Sequence, residues 1–363
     1  MMAFWALISV IFSQDPATSF QNYVDTLMRA IILVVVIGLT AKRNKDVQFL
    51  SSAFVIGVVS LSLFSLWRFE GYDQFLPVGL IERNENQNER RLEAVGSLGN
   101  SNDIAAVVMI PLGFLFPTLF DRRESLIKKT FFTVIIIFLF KAILASQSRG
   151  ALIASIAQCG ILFLSRSKHP LRFGTILLTC LVCLAPLANH VMGRDAEDLD
   201  ASTESRLNYY ITGIRMAIYS PLWGQGFGRY PFEFERFSTE TLHEWGHRTA
   251  HSSWILVLSE TGFVGLLIFA LLHIRIFMIC WKIREIQPGF LLAVAGYSIT
   301  IIFLSHSWLM FPWILFALVE TTQIVQNDEE DNAGRQRSKK PANNPLDCTK
   351  GSMATSMRSE FCK

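Results

Sequence analysis

The chain has 363 residues, of which 51% are hydrophobic and 17% charged, with a formal net charge of +3. Average soluble domains carry about 25% charged residues, so this balance excludes an ordinary soluble enzyme. The small, dispersed positive charge excludes a nucleic-acid binder.

The apolar residues come in blocks of bilayer length, because a helix rising about 1.5 Å per residue needs about 20 residues to cross a 30 Å hydrocarbon core. In chain order the expected spans are Met1 to Phe12, Val24 to Ala41, Phe49 to Trp67, Asp103 to Phe120, Thr130 to Ser146, Gly150 to Ser165, Phe173 to Ala188, Ser252 to Ile274, Gly289 to Ser305 and Trp308 to Val325. The first is too short to cross and lacks the basic start and cleavage site of a signal peptide, so it reads as a partial helix. The expected fold is an all-α integral membrane protein of about ten (9–12) transmembrane helices, a polytopic domain over residues 1–325. Residues 326–363 are polar, without apolar period, and are expected to form a disordered cytoplasmic tail.

Lys and Arg counts set the orientation, since cytoplasmic loops keep an excess of both. Lys42, Arg43 and Lys45, then Arg122, Arg123, Lys128 and Lys129, then Arg166, Lys168 and Arg172, then Arg275, Lys282 and Arg284 fall in alternate loops. Both termini are therefore expected inside, with loops 68–102 and 189–251 outside. Those two loops and the turn Gln147 to Arg149 hold eleven Arg and no Lys. No outer loop carries a Cys, and the Cys180/Cys183 pair lies in an apolar block where packing explains it.

Ionisable residues within or bordering the spans are few: Arg29, Lys141, Glu260, Asp103, His273, His306 and Glu320. A proton or ion pathway would leave a chain of acids or His at mid-depth, and none is evident. Lys141 is expected to reach outward toward the Arg149 turn.

The chemistry-bearing features lie outside. Ser146-Gln147-Ser148-Arg149-Gly150 is a tight turn that fixes a guanidinium at the membrane surface. Gly96 to Asp103 opens a span, with Asn102 or Asp103 as its expected cap. Ser205 to Tyr219 spaces Ile211, Ile214 and Ile218 as an amphipathic helix that carries Arg206 and Arg215. Gly224, Gly226 and Gly228 mimic part of a phosphate-cradling loop but lack its strand and helix context. His243-Glu244-Trp245-Gly246-His247 matches the H-E-x-x-H zinc pattern in a polar loop without helical periodicity. A metal site on His243 and His247 is therefore kept only as an alternative. His251 would not complete it on a straight helix, where residues eight apart rise about 12 Å.

Ser148-Arg149-Gly150-Ala151-Leu152, Arg206 four residues before Tyr210, Pro221-Leu-Trp-Gly-Gln-Gly-Phe-Gly, and Ala250-His251-Ser252-Ser253-Trp254 running into Glu260-Thr-Gly-Phe-Val-Gly265 resemble the O-antigen ligase and polymerase superfamily. Gly99-Asn100-Ser101-Asn102 is similar to that family's Gly-x-Pro-Asn stretch. The ordered motifs run from 96 to 265. Tyr210 stands where the family usually has Trp, and Ser101 where Pro is common.

The resemblance implies a GT-C-like, metal-independent, inverting glycosyltransferase in a bacterial inner membrane, with a large, partly helical periplasmic loop and no cofactor. Its donor would be an undecaprenyl-pyrophosphate-linked glycan and its acceptor a glycan or lipid. Arg149 and Arg206, with Arg215 as a weaker third, would bind pyrophosphate, since guanidinium stays protonated and binds phosphate bidentately. His251 would take the acceptor's proton. Asn102, Tyr210 and Glu260 would support the site, and Glu260 is expected to face the bundle and pair with an Arg or cap a polar pocket. A polysaccharide polymerase of the same family, and outside the enzymes a transporter of lipid-linked sugar or a small anion, remain alternatives.

Overall fold

The computed structural model describes residues 1–72, 91–92, 98, 100–166, 196–238 and 249–339. Every regular element among them is helical: α1 Met2–Ile11, α2 Pro16–Thr40, α3 Asn44–Phe69, α4 Ser101–Phe120, α5 Leu126–Ser146, α6 Arg149–Arg166, α7 Ala196–Tyr219, α8 Tyr230–Phe237, α9 Ser253–Ile283, α10 Pro288–Thr300 and α11 Met310–Lys339. The starts have local causes. Asp15 accepts the Thr18 N–H at 3.1 Å ahead of Pro16, and Ser125 accepts the Lys128 N–H at 3.3 Å. Gln147, at φ 54° in the left-handed region, ends α5 and turns the chain into α6.

Five helices are long and apolar enough to cross a membrane: α2, α3, α4, α5 and α9. Met2–Ile11, Arg149–Ser165 and Pro288–Thr300 are shorter apolar helices, and the expected span Phe173 to Ala188 lies outside the described residues. Two boundaries differ from expectation. α2 begins at Pro16, eight residues before Val24, because a π-helical turn at Val24–Met28 joins a polar first half to an apolar second half. α11 continues to Lys339, so residues 326–339 are helical rather than part of a disordered tail.

α4 is the axis of the bundle. Its apolar window is 72% buried, against 22–33% for the other four long helices, which turn Phe49, Ile56, Phe131, Ile137, Leu267 and Leu271 outward as a lipid-facing surface would. α10 lies hard against α4 because Gly113 has no side chain: a Cβ there would collide with the backbone of Ala293. Gln158 of α6 ties both helices in, donating from Nε2 to Met109 O at 2.7 Å and Leu292 O at 2.9 Å.

α9 is broken. Gly262 adopts φ 71°, ψ −173° inside it, and the carbonyls this frees are met from elsewhere. Ser259 O accepts from Gln225 N at 2.9 Å, Glu260 O from Gly226 N at 3.2 Å and from Ser9 Oγ, and Thr261 O from Trp5 Nε1 at 2.9 Å. Irregular backbone is tolerated at membrane depth only where protein satisfies it in this way. α1 thus acts as a strut against the break. Lys141 pairs with Glu70 at the end of α3, 2.7 Å away, and not with the Arg149 turn.

Candidate active site

The starts of α4, α6, α9 and α11 gather at one end of the bundle. Ser253 N donates to Ile301 O at 3.0 Å, His306 N donates to Ser253 Oγ at 2.9 Å, and the His306 ring reaches Asp103. Helix N-termini carry partial positive charge, so this end favours an anion before any side chain is counted.

The arginines meet here. Leu92 N donates to Ala145 O at 2.9 Å, laying Arg91 beside the turn that carries Arg149. Arg149, the first residue of α6, is disfavoured in its charged form by partial burial and then by the positive charges of Arg206 and Arg91. Three guanidiniums from three separate segments are therefore close enough to act on one another's charge and share one region. Arg91 is the residue that motif reading missed: its only sequence signal is the dipeptide Arg90-Arg91 in an outer loop.

α7 joins the arginines to the histidine. Arg206 and Tyr210 are one turn apart on it. The Tyr210 hydroxyl donates to His251 O at 3.3 Å, and burial raises its pKa while Arg206 lowers it. Tyr209 stacks on the His251 ring, centroids 5.3 Å apart and planes 27° from parallel. The Tyr230 hydroxyl holds Tyr209 O at 2.8 Å, with burial pushing the Tyr230 pKa up so that it remains a donor. His251 has φ 46°, a left-handed conformation uncommon for a side-chain-bearing residue. It stands immediately before Ser252, the N-cap of α9, which sets the imidazole at the helix mouth against α7.

Other expected site residues sit differently. Arg215 is nine residues from Arg206, which places it on the opposite face of α7, where its Nη1 donates to Phe237 O at 3.2 Å. It does not join the arginine group. Asn100, not Asn102 or Asp103, caps α4, accepting the Asn102 N–H at 2.9 Å, because only the residue in extended backbone can reach back to it. Asn102 packs beside that cap through its own amide, 3.4 Å from Asn100 Oδ1.

Glu260 is fully buried and faces the bundle, but it meets neutral donors rather than an Arg: Tyr230 N at 3.2 Å and Trp308 Nε1 at 2.7 Å. It is a staple between α9, α8 and the chain before α11. The glycine loop is likewise structural, since the Gln225 and Gly226 N–H groups are spent on α9 carbonyls and cradle no phosphate. His243 and His247 lie outside the described residues.

Residues 132–270 match the family model described as O-Antigen ligase. The match contains Arg149, Arg206, Tyr210, His251 and Glu260, and excludes Arg91, Asp103, Tyr297 and His306. No curated protein matches the chain.

Proposed function

The chain carries an O-antigen ligase domain across residues 132–270, and from that premise we propose that it is a membrane glycosyltransferase acting on an undecaprenyl-pyrophosphate-linked glycan at the outer face of a bacterial inner membrane. One observation carries this reading: Arg149, Arg206 and Arg91 share one region at one end of the bundle, and the helix that bears Arg206 also contacts His251.

In the proposed reaction an acceptor sugar hydroxyl attacks the anomeric carbon of the donor. The new C–O bond forms as the bond to the pyrophosphate oxygen breaks, and the configuration inverts. His251 receives the hydroxyl proton. The arginines bind the pyrophosphate and stabilise the charge that grows on it as it leaves, each charge-assisted hydrogen bond contributing about 1.5–3 kcal/mol. Tyr209 and Tyr210 hold His251 against the helix that carries Arg206. Arg215 is assigned no part in catalysis. The alternation of Lys and Arg between loops supports the outward orientation. No metal is assigned a role.

Purified protein, given the lipid-linked glycan as donor, is tested with rough lipopolysaccharide or with a second lipid-linked glycan as acceptor. Product with the first identifies a ligase and with the second a polymerase. Arg149→Ala and Arg206→Ala are each expected to slow transfer about 10- to 150-fold, with no effect of chelator. Wild-type rates in both variants contradict the mechanism. Loss of activity with chelator alone instead supports the His243 and His247 metal site.

A further inference from the structure

Behind the arginine region lies a chain of three ionisable side chains that the proposed reaction does not use. His306, 1% exposed, sits between Asp103 and Tyr297: its Nε2 is 2.9 Å from Asp103 Oδ1 and its Nδ1 2.9 Å from the Tyr297 hydroxyl. A carboxylate accepts, so Nε2–H points to Asp103, while Nδ1 lies within hydrogen-bond reach of the Tyr297 hydroxyl. The backbone is fixed as well, since Ser253 Oγ accepts from His306 N at 2.9 Å and donates to Leu304 O at 2.7 Å. The same loop lays Phe303 over Gly150, next to Arg149.

The order of burial is informative. Tyr297 and His306 are enclosed, while the Asp103 side chain is 22% exposed, at the mouth. Asp103 Oδ2 takes no hydrogen bond from a described residue, and no described arginine pairs with this carboxylate. A part-exposed carboxylate whose Oδ1 is held by buried His306, itself held by Tyr297, is an aimed acceptor. The carboxylate disfavours phosphate there and accepts from neutral hydroxyl donors.

We propose that Asp103 binds a hydroxyl of the acceptor sugar, with His306 and Tyr297 as positioning residues that hold its orientation. This rests on the transferase reading above, and all three residues lie outside the segment that matches the family model.

The test is steady-state transfer with the lipid-linked glycan as donor, varying rough lipopolysaccharide or the second lipid-linked glycan, whichever wild type uses. Asp103→Asn is expected to raise the acceptor KM at least tenfold with the donor KM within twofold of wild type. His306→Phe, which keeps a planar ring but not polarity, should do the same, and His306→Gln, whose amide can still donate to Asp103, should recover a substantial part. A purely structural role predicts that both His306 variants lose stability and kcat together with both KM values unchanged. That result, or an unaltered acceptor KM in Asp103→Asn, overturns the proposal. If His306→Phe does not fold, the Asp103→Asn and Tyr297→Phe kinetics decide alone, with Tyr297→Phe expected to raise the acceptor KM several-fold. Absence of transfer by wild type contradicts the transferase reading itself, and the role of Asp103 with it.

Discussion

At the scale of single residues, the site separates guanidinium chemistry from mere positive charge. Arg149 and Arg206 have a planar fork that can hold two phosphate oxygens at once, which an ammonium lacks. Arg149→Lys is therefore expected to slow transfer at least tenfold although the charge is kept, measured as initial rate at saturating acceptor. Arg215→Ala should leave the rate within threefold of wild type, because its Nη1 is on Phe237 O at the far side of α7. His251→Ala should cost about 10²–10⁴ in kcat if it removes the general base. Arg149 and His251 were legible in the sequence because each adjoins a helix end marked by its own short motif, and Arg206 because it lies on an amphipathic helix four residues before an aromatic. Arg91 was not: its place depends on the Leu92 to Ala145 hydrogen bond, between residues far apart in the chain. The Asp103 to His306 contact joins residues 203 positions apart, and nothing local announces it.

At the scale of elements, the break in α9 organises the site. The carbonyls of residues 259–261 are satisfied by the 225–226 backbone, Ser9 and Trp5, and Glu260 adds two bonds from its side chain. Glu260→Leu would leave the buried Tyr230 N–H and Trp308 Nε1–H without an acceptor, at about 1–3 kcal/mol each. A lowered unfolding temperature in detergent is the expected outcome, and Glu260→Gln should fall between the two, since one carboxamide oxygen still accepts. Gly262→Ala should destabilise for a second reason: φ is 71° and a Cβ would strike the Leu222 carbonyl. The sequence marked the spans by apolar length but could not mark this break, because a single Gly in an apolar helix signals packing as readily as a kink. The want of strand and helix context sets Gly224, Gly226 and Gly228 apart from a phosphate loop, but that the Gln225 and Gly226 backbone serves α9 was not legible.

At the scale of the whole molecule, the bundle is an apolar frame around α4 whose helix starts converge where the arginines are. Hydropathy made the membrane class and most helices legible, since bilayer thickness fixes span length independently of tertiary contacts. It could not show that α1 is a strut or that α11 continues to Lys339, because both depend on what neighbouring helices offer. The central claim is that this end binds a lipid-linked pyrophosphate. The most direct measurement is the affinity of purified protein for undecaprenyl pyrophosphate, compared with undecaprenyl monophosphate, in wild type and in the Arg91→Ala, Arg149→Ala and Arg206→Ala variants. The account predicts tighter binding of the pyrophosphate by wild type and at least tenfold weaker binding in each variant, whereas equal affinities for both lipids, unchanged by the three substitutions, would contradict it.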